Sequence, residues 1–245
     1  MTRRYVPMLR RRARPPARSP FLALGAIAHW DVNHHVSDDG TDAAWVDRLG
    51  GYTVASTSAA TRLQYGSYAA LNGRHGWLGS SAAVSRLTGA AALANVIDLT
   101  QAHTILSVAK RASVHNGTLV GLGGTVGHVA CLNVTSPDAL AYERFDGAYA
   151  ATGVAIVSPG DIHVYASTFD GSGASVYSDG ALVISAALGL APNATSFTIG
   201  NREAAAGVFD LPFDGHIGDV VVFDSALNGA QVLAASNILA AKFGF

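Results

Sequence analysis

From Asp161 to Val183 the chain reads Asp-Ile-His-Val-Tyr-Ala-Ser-Thr-Phe-Asp-Gly-Ser-Gly-Ala-Ser-Val-Tyr-Ser-Asp-Gly-Ala-Leu-Val. Two β-rich runs, Asp161–Phe169 and Ser175–Ser178, flank the flexible turn Asp170-Gly171-Ser172-Gly173. A third, Ala181–Ala187, follows Asp179-Gly180. Asp-Gly supplies the positive φ angles that a two-residue hairpin turn needs, so this stretch predicts consecutive antiparallel strands. Strand alternation places Ile162, Val164 and Ala166 on one face and His163, Tyr165 and Ser167 on the other, the first expected to be buried and the second wetter.

The same punctuation extends in both directions. Upstream, β-rich runs are read at Leu22–Trp30, Tyr52–Ser56, Gly76–Leu78, His103–Lys110, Thr118–Leu122, His128–Val134, Ala139–Phe145 and Ala148–Val157, with Asp146-Gly147 as a further tight turn. Downstream come Ser196–Ile199 and His216–Phe223. Many short strands at this spacing predict an all-β, two-sheet sandwich. Two helices interrupt the pattern: an Ala-rich Leu87–Val96, and Asn228–Phe243, where Asn228 caps a stripe of Val232, Ser236, Leu239 and Phe243.

Composition agrees. Charged residues make up 13% of the 245, hydrophobic residues 49%, and there are 27 glycines; this supports a sizeable core and excludes a disordered chain. The net charge of −1 conceals a division. Arg3, Arg4, Arg10, Arg11, Arg12, Arg14 and Arg18 crowd the first 18 residues without an acid, which leaves the remainder acidic. Pro7, Pro15, Pro16 and Pro20 rule out a continuous helix there, so residues 1–20 are read as an extended arm and 21–245 as the sandwich domain. The arm is expected to dock on other protein subunits of an assembly. Without interleaved aromatics or a recognition motif, nucleic acid is not its expected partner. No apolar run approaches a membrane span. Phe21–Ala28 follows a basic region and ends like a cleavable leader, yet it serves better as the first strand.

The stretch from Tyr177 to Val183, a "Y-x-D-G-x-L-V" hairpin, resembles the central hairpin of the LamG-like jelly-roll domains of the concanavalin A-like lectin/glucanase superfamily. Phe197-Thr-Ile-Gly-Asn201 is similar to that family's "l-x-I-G" strand, and Pro212-Phe-Asp-Gly-His-Ile-Gly-Asp-Val-Val-Val-Phe-Asp-Ser-Ala-Leu227 to its "F-x-G-x-I-G-E-v-x-v-y-x-x-a-L" strand. Trp45-Val-Asp-Arg-Leu-Gly50 and Leu71-Asn-Gly-Arg74 are similar to two further steps of bacterial members. The resemblance spans about residues 22–245. It implies an antiparallel jelly-roll sandwich with a C-terminal helix, here preceded by the extended arm, and it implies no single activity.

Candidate chemistry is sparse. The glucanases of that superfamily carry carboxylates alternating along one strand; this chain has two glutamates, Glu143 and Glu203, and the pair Glu143 and Asp146 spans a turn, so no catalytic residue is assigned. Cys131 lies in the apolar run Val129-Ala130-Cys131-Leu132 and reads as a small buried hydrophobe. His34-His35, the adjacent histidine pair, has no metal-ligand spacing. No cofactor is expected; calcium at Asp38, Asp39 and Asp42 is the alternative, although the loop lacks the closing glutamate of a calcium hand. A sugar site would draw on Trp30, Trp45, Trp77, Tyr142 and Tyr149, with Trp45 read instead as a structural plug. The expected function is a non-catalytic structural or attachment protein, a tailed-phage virion component docked on a capsid or tail by its arm. The alternative is a carbohydrate-binding module of a bacterial surface or secreted protein.

Overall fold

The computed structural model describes residues 19–34, 36–40, 42–56, 58–83, 85–89, 101–113, 116–123, 128–135, 139–145, 149–151, 160–188, 196–205 and 208–245, with the side chains of 128–139, 144–151, 204 and 205 outside the description. The seven arm arginines, the expected extended conformation of residues 1–18, and the Cys131 side chain therefore lie outside the described residues.

Two antiparallel sheets face each other, as expected of the sandwich. The first runs in the order β15 (Ala181–Ala187), β14 (Gly173–Ser178), β13 (His163–Phe169), β8 (His103–Arg111), β19 (Gly215–Phe223), β6 (Arg74–Gly79), β5 (Gln64–Tyr68), with β1 (Ala26–Trp30) also paired to β19. The second runs β12 (Tyr149–Ala151), β11 (Ala139–Phe145), β10 (His128–Thr135), β9 (Gly117–Gly123), β16 (Ser196–Ile199), β7 (Leu87–Gly89), β4 (Thr53–Ser56), β3 (Ala43–Val46), β2 (Val36–Asp38). A separate hairpin, β17 (Arg202–Ala205) and β18 (Val208–Asp210), lies against β9, β10 and β16. The predicted Asp-Gly hairpin is present between β14 and β15, with Asp179 at φ 52° and Gly180 at φ 80°.

Aromatic rings from the two sheets meet in the core. Trp30 of β1 stacks on Phe197 of β16 with centroids 5.0 Å apart, and Phe169 of β13 lies over Tyr142 of β11 at 6.1 Å. Such packing supplies most of the hydrophobic driving force of a sandwich. The helix α1 (Gly229–Phe243) has the predicted Asn228 cap, completed as a capping box by Gln231, and buries Val232, Ala235, Ser236, Leu239 and Phe243. It packs on the outer face of the first sheet against β13, β8 and β15.

Two expectations are corrected. Leu87–Gly89 is a strand bonded to β16 and β4, not the start of a helix; residues 90–96 lie outside the description. Pairing with strands distant in sequence overrides the helical propensity of the Ala-rich run. The faces of β13 do not divide into buried and wet. Val164 and Ala166 are buried on the face covered by α1, and Tyr165 and Ser167 are buried as well, because they share the face of Phe169, whose ring lies over Tyr142 of the second sheet.

Candidate functional site

Sequence reasoning singled out scattered groups, and the fold gives most of them structural partners. In the Asp38–Asp42 loop, the Arg62 guanidinium donates to Asp38 Oδ2 at 2.7 Å; the same oxygen accepts from the Tyr65 amide at 2.9 Å, and Oδ1 accepts from the Gly40 amide at 3.0 Å. Asp39 Oδ1 accepts from the Asp42 amide at 2.8 Å. An arginine thus stands as counter-ion to this acidic turn. Trp30, Trp45, Trp77 and Tyr142 are all buried, so none forms a sugar platform; Tyr149's side chain and His35 lie outside the description. Trp45 is the plug that was expected: its indole N–H donates to the Asp31 carbonyl at 3.0 Å and its ring abuts Trp77.

Glu143 and Glu203 belong to the contact between the β17–β18 hairpin and the second sheet. The Arg202 fork donates through Nε and Nη2 to the two oxygens of Asp210, each at 2.8 Å, and through Nη1 to Glu143 at 3.2 Å. Glu203 accepts from the Ser196 hydroxyl, and the Arg86 guanidinium lies 3.8 Å over the Phe209 ring. Gly121 and Gly123 of β9 make room for this: a Cβ on Gly121 would fall 2.7 Å from the Asn201 carbonyl oxygen, and one on Gly123 2.6 Å from Glu203 Cβ. The chain itself occupies this part of the sheet.

A second polar cluster, which spacing did not reveal, lies beneath α1. The β19–β8 register slips between Ile217 and Val220, and this bulge turns both Gly218 and Asp219 toward the helix. Asp219 accepts from Lys242 Nζ at 2.7 Å through each oxygen, from the Val32 amide at 3.1 Å, and pairs with His29 Nε2 at 2.9 Å. Lys242 also reaches Asp31 Oδ1 at 2.7 Å, and Arg48 pairs with the other Asp31 oxygen. His29, Asp31 and Asp219 form a ligand-like group, but the Lys242 ammonium already supplies the positive charge at its centre. Ser19 Oγ lies 2.9 Å from His29 Nδ1, so hydroxyl, imidazole and carboxylate are in line. Ser19, His29 and Asp219 are nonetheless buried, and the Phe21 ring stands edge-on to the imidazole at 4.9 Å. Among the described residues the cluster is a polar tie between β1, β19 and α1.

Among the described residues, an open region lies where α1 ends on the first sheet. Asn72, Lys110, Asp161, Ile162 and Phe245 line a pocket of about 300 Å³. Asn72 Nδ2 donates to the carbonyls of Phe243 and Gly244 at 3.1 and 3.2 Å, which fixes the amide at the pocket wall. Lys110 and Asp161 form no ion pair with each other. The Phe245 ring is 43% exposed. His216, opposite Lys110 in the sheet, meets the Tyr68 ring at 4.7 Å; burial, reinforced by the Lys110 charge, holds its pKa below the usual value. An apolar ring flanked by an amide, an ammonium and a carboxylate can pack against the C–H face of a sugar while its hydroxyls find donors and acceptors. No spacing in the sequence unites these residues; they meet only because β8 and β13 are neighbours and α1 ends beside them.

The family model described as the concanavalin A-like lectin/glucanases superfamily matches residues 88–233, and the chain belongs to this family. Solved structures share the fold at low identity. The sialidase of Trypanosoma rangeli superposes with a TM-score of 0.60 at 14% identity over 89% of this chain. This chain spans 33% of that sialidase's length. Botulinum neurotoxin type C, whose cell entry depends on interaction with two ganglioside molecules, gives a TM-score of 0.63 at 10% identity, covering 88% of this chain and 51% of that one. The CBM40 of Ruminococcus gnavus IT-sialidase, bound to α2,3-sialyllactose, gives 0.50 at 18% identity, covering 58% and 86%. No curated protein sequence matches this chain. Among the described residues, no helix is long and apolar enough to cross a membrane.

Proposed function

We propose that this member of the concanavalin A-like superfamily is a non-catalytic glycan-binding module that works at a cell surface or outside the cell. The observation that carries the reading is the pocket at the end of α1, where the exposed Phe245 ring stands beside Asn72, Lys110 and Asp161. The likeness in fold to a sialyllactose-bound module and to a ganglioside-dependent toxin supports it. A virion-attachment role is left with the arginine arm, Arg3 to Arg18, as its support. Binding needs no divalent cation in this reading, since Arg62 serves Asp38 and Lys242 serves Asp31 and Asp219.

The test is a glycan array probed with the chain and with Phe245→Ala and Lys110→Ala, each with and without a chelator. Saturable binding that survives chelation and weakens about tenfold or more in either variant, a loss of roughly 1.4 kcal/mol, is expected. A folded protein that binds no glycan, or binds equally well in both variants, would overturn the proposal.

A further inference from the structure

The arginine arm and the buried polar cluster meet at Ser19, which follows Arg18 in the chain and precedes β1. Ser19 opens a turn: its carbonyl accepts from the Leu22 amide at 3.2 Å and its Oγ from the Phe21 amide at 3.3 Å. The hydroxyl so held lies 2.9 Å from His29 Nδ1, and His29 Nε2 lies 2.9 Å from Asp219 Oδ2.

The tautomer follows from the partners. Asp219 takes the Lys242 ammonium on both oxygens, so its carboxylate is an acceptor and His29 Nε2 carries the hydrogen it accepts. In neutral imidazole Nδ1 is then the lone pair, and the Ser19 hydroxyl donates to it. Hydroxyl, base and orienting carboxylate stand in the order that makes a serine nucleophilic. Ser19 and His29 are buried, yet one carbonyl is at hand by covalent structure alone. It is that of Arg18, whose carbon closes a five-membered ring with the N, Cα, Cβ and Oγ of Ser19. An attack within the chain needs no binding step.

We propose that Ser19 cleaves the Arg18–Ser19 bond and so releases the arm. Ser19 Oγ attacks the Arg18 carbonyl carbon and passes its proton to His29 Nδ1. The C–N bond breaks, His29 returns the proton to the departing Ser19 nitrogen, and residues 1–18 are left as an ester on Oγ. Water hydrolyses the ester: the C–O bond breaks, and water supplies the second carboxylate oxygen of Arg18 and the hydrogen that restores the Ser19 hydroxyl. The reaction runs once per chain. It leaves an acidic sandwich that begins at Ser19, without the cationic segment Arg3 to Arg18.

Intact-mass spectrometry of the full chain over time at neutral pH tests this, beside Ser19→Ala, Ser19→Cys and His29→Gln, with circular dichroism to check that each is folded. The parent is expected to convert to a species beginning at Ser19, at a first-order rate independent of protein concentration. Hydroxylamine is expected to intercept the ester and yield residues 1–18 as the Arg18 hydroxamate. Ser19→Cys keeps a nucleophile and is expected to cleave, Ser19→Ala to stay intact, and His29→Gln to cleave about a hundredfold more slowly. A contaminating arginine-directed protease would cut Ser19→Ala as readily as the parent. A parent that stays intact overturns the proposal. So does a folded Ser19→Ala or His29→Gln that is cleaved at this bond at the parent's rate. Where those variants do not fold, a parent that yields no hydroxamate overturns it.

Discussion

Lys242, near the end of α1, holds Asp219 of β19 through both carboxylate oxygens at 2.7 Å, and reaches Asp31 at the same distance. One ammonium therefore ties the helix to two carboxylates that have little access to water. Removing it leaves Asp31 to Arg48 and Asp219 to His29 and the Val32 amide. Two carboxylates in a poorly hydrated place are then under-compensated, which costs more than the attraction contributes when all partners are present. Lys242→Met is expected to destabilise the fold by about 3 kcal/mol, read as a lower midpoint in urea with an unchanged slope.

Asp31 makes the same cluster sensitive to acid. Burial by itself raises its pKa, but the hydrogen bond and charge of Lys242, the Asn33 amide and the charge of His29 outweigh that and lower it from 3.8 to about 2. A carboxyl with a depressed folded pKa contributes stability above its unfolded value, and that contribution is lost as the pH falls toward the folded one. The window is therefore pH 4 to 2, and the amount is about 2 kcal/mol. Asp31→Asn should flatten the stability profile across that window in acid titrations followed by circular dichroism.

His163 behaves oppositely. Its hydrogen bond to Asp179, at 2.7 Å, raises the imidazole pKa against the opposing effect of burial. This interaction stabilises the fold below the ordinary histidine range and fades as the pH rises through the raised value. Asp179→Asn keeps a side chain that tolerates the left-handed φ of 52° but removes the charge. The His163 ring resonances are expected to titrate at lower pH in that variant, as followed by NMR.

Features that one or two adjacent residues determine were legible before the structure. Asp179-Gly180 dictates its turn through backbone sterics, and Asn228 with Gln231 closes the start of α1 by local hydrogen bonds. Leu87–Gly89 was not legible, because its strand state depends on Phe197 and Val54, far away in sequence. Asp219 illustrates a middle case. Its place in a family-like strand could be read, but not its role, since Lys242 and His29 approach it only after β1 and α1 have packed on β19. The candidate pocket is the extreme case, assembled from four separate segments that share no periodicity.

The hairpin that covers the second sheet offers a test that separates steric fit from propensity. Gly121 sits where a Cβ would lie 2.6 Å from Thr198 Oγ1 and 2.7 Å from the Asn201 carbonyl oxygen, and the latter is backbone that cannot rotate away. Gly121→Ala must therefore lift the start of β17 and, with it, the Arg202 fork that holds Asp210 and Glu143. A cost of about 1–3 kcal/mol is expected, as for overpacking in a close-packed site. Gly229 at the start of α1 is the matched control, because its Cβ would meet nothing within 4 Å. There the same substitution should stabilise by about 0.5 kcal/mol, by restricting the unfolded chain in a helical position. Thermal unfolding of both variants reads the difference directly: if Gly121→Ala melts no lower than the parent, the hairpin is not seated on β9 as the glycine contacts require.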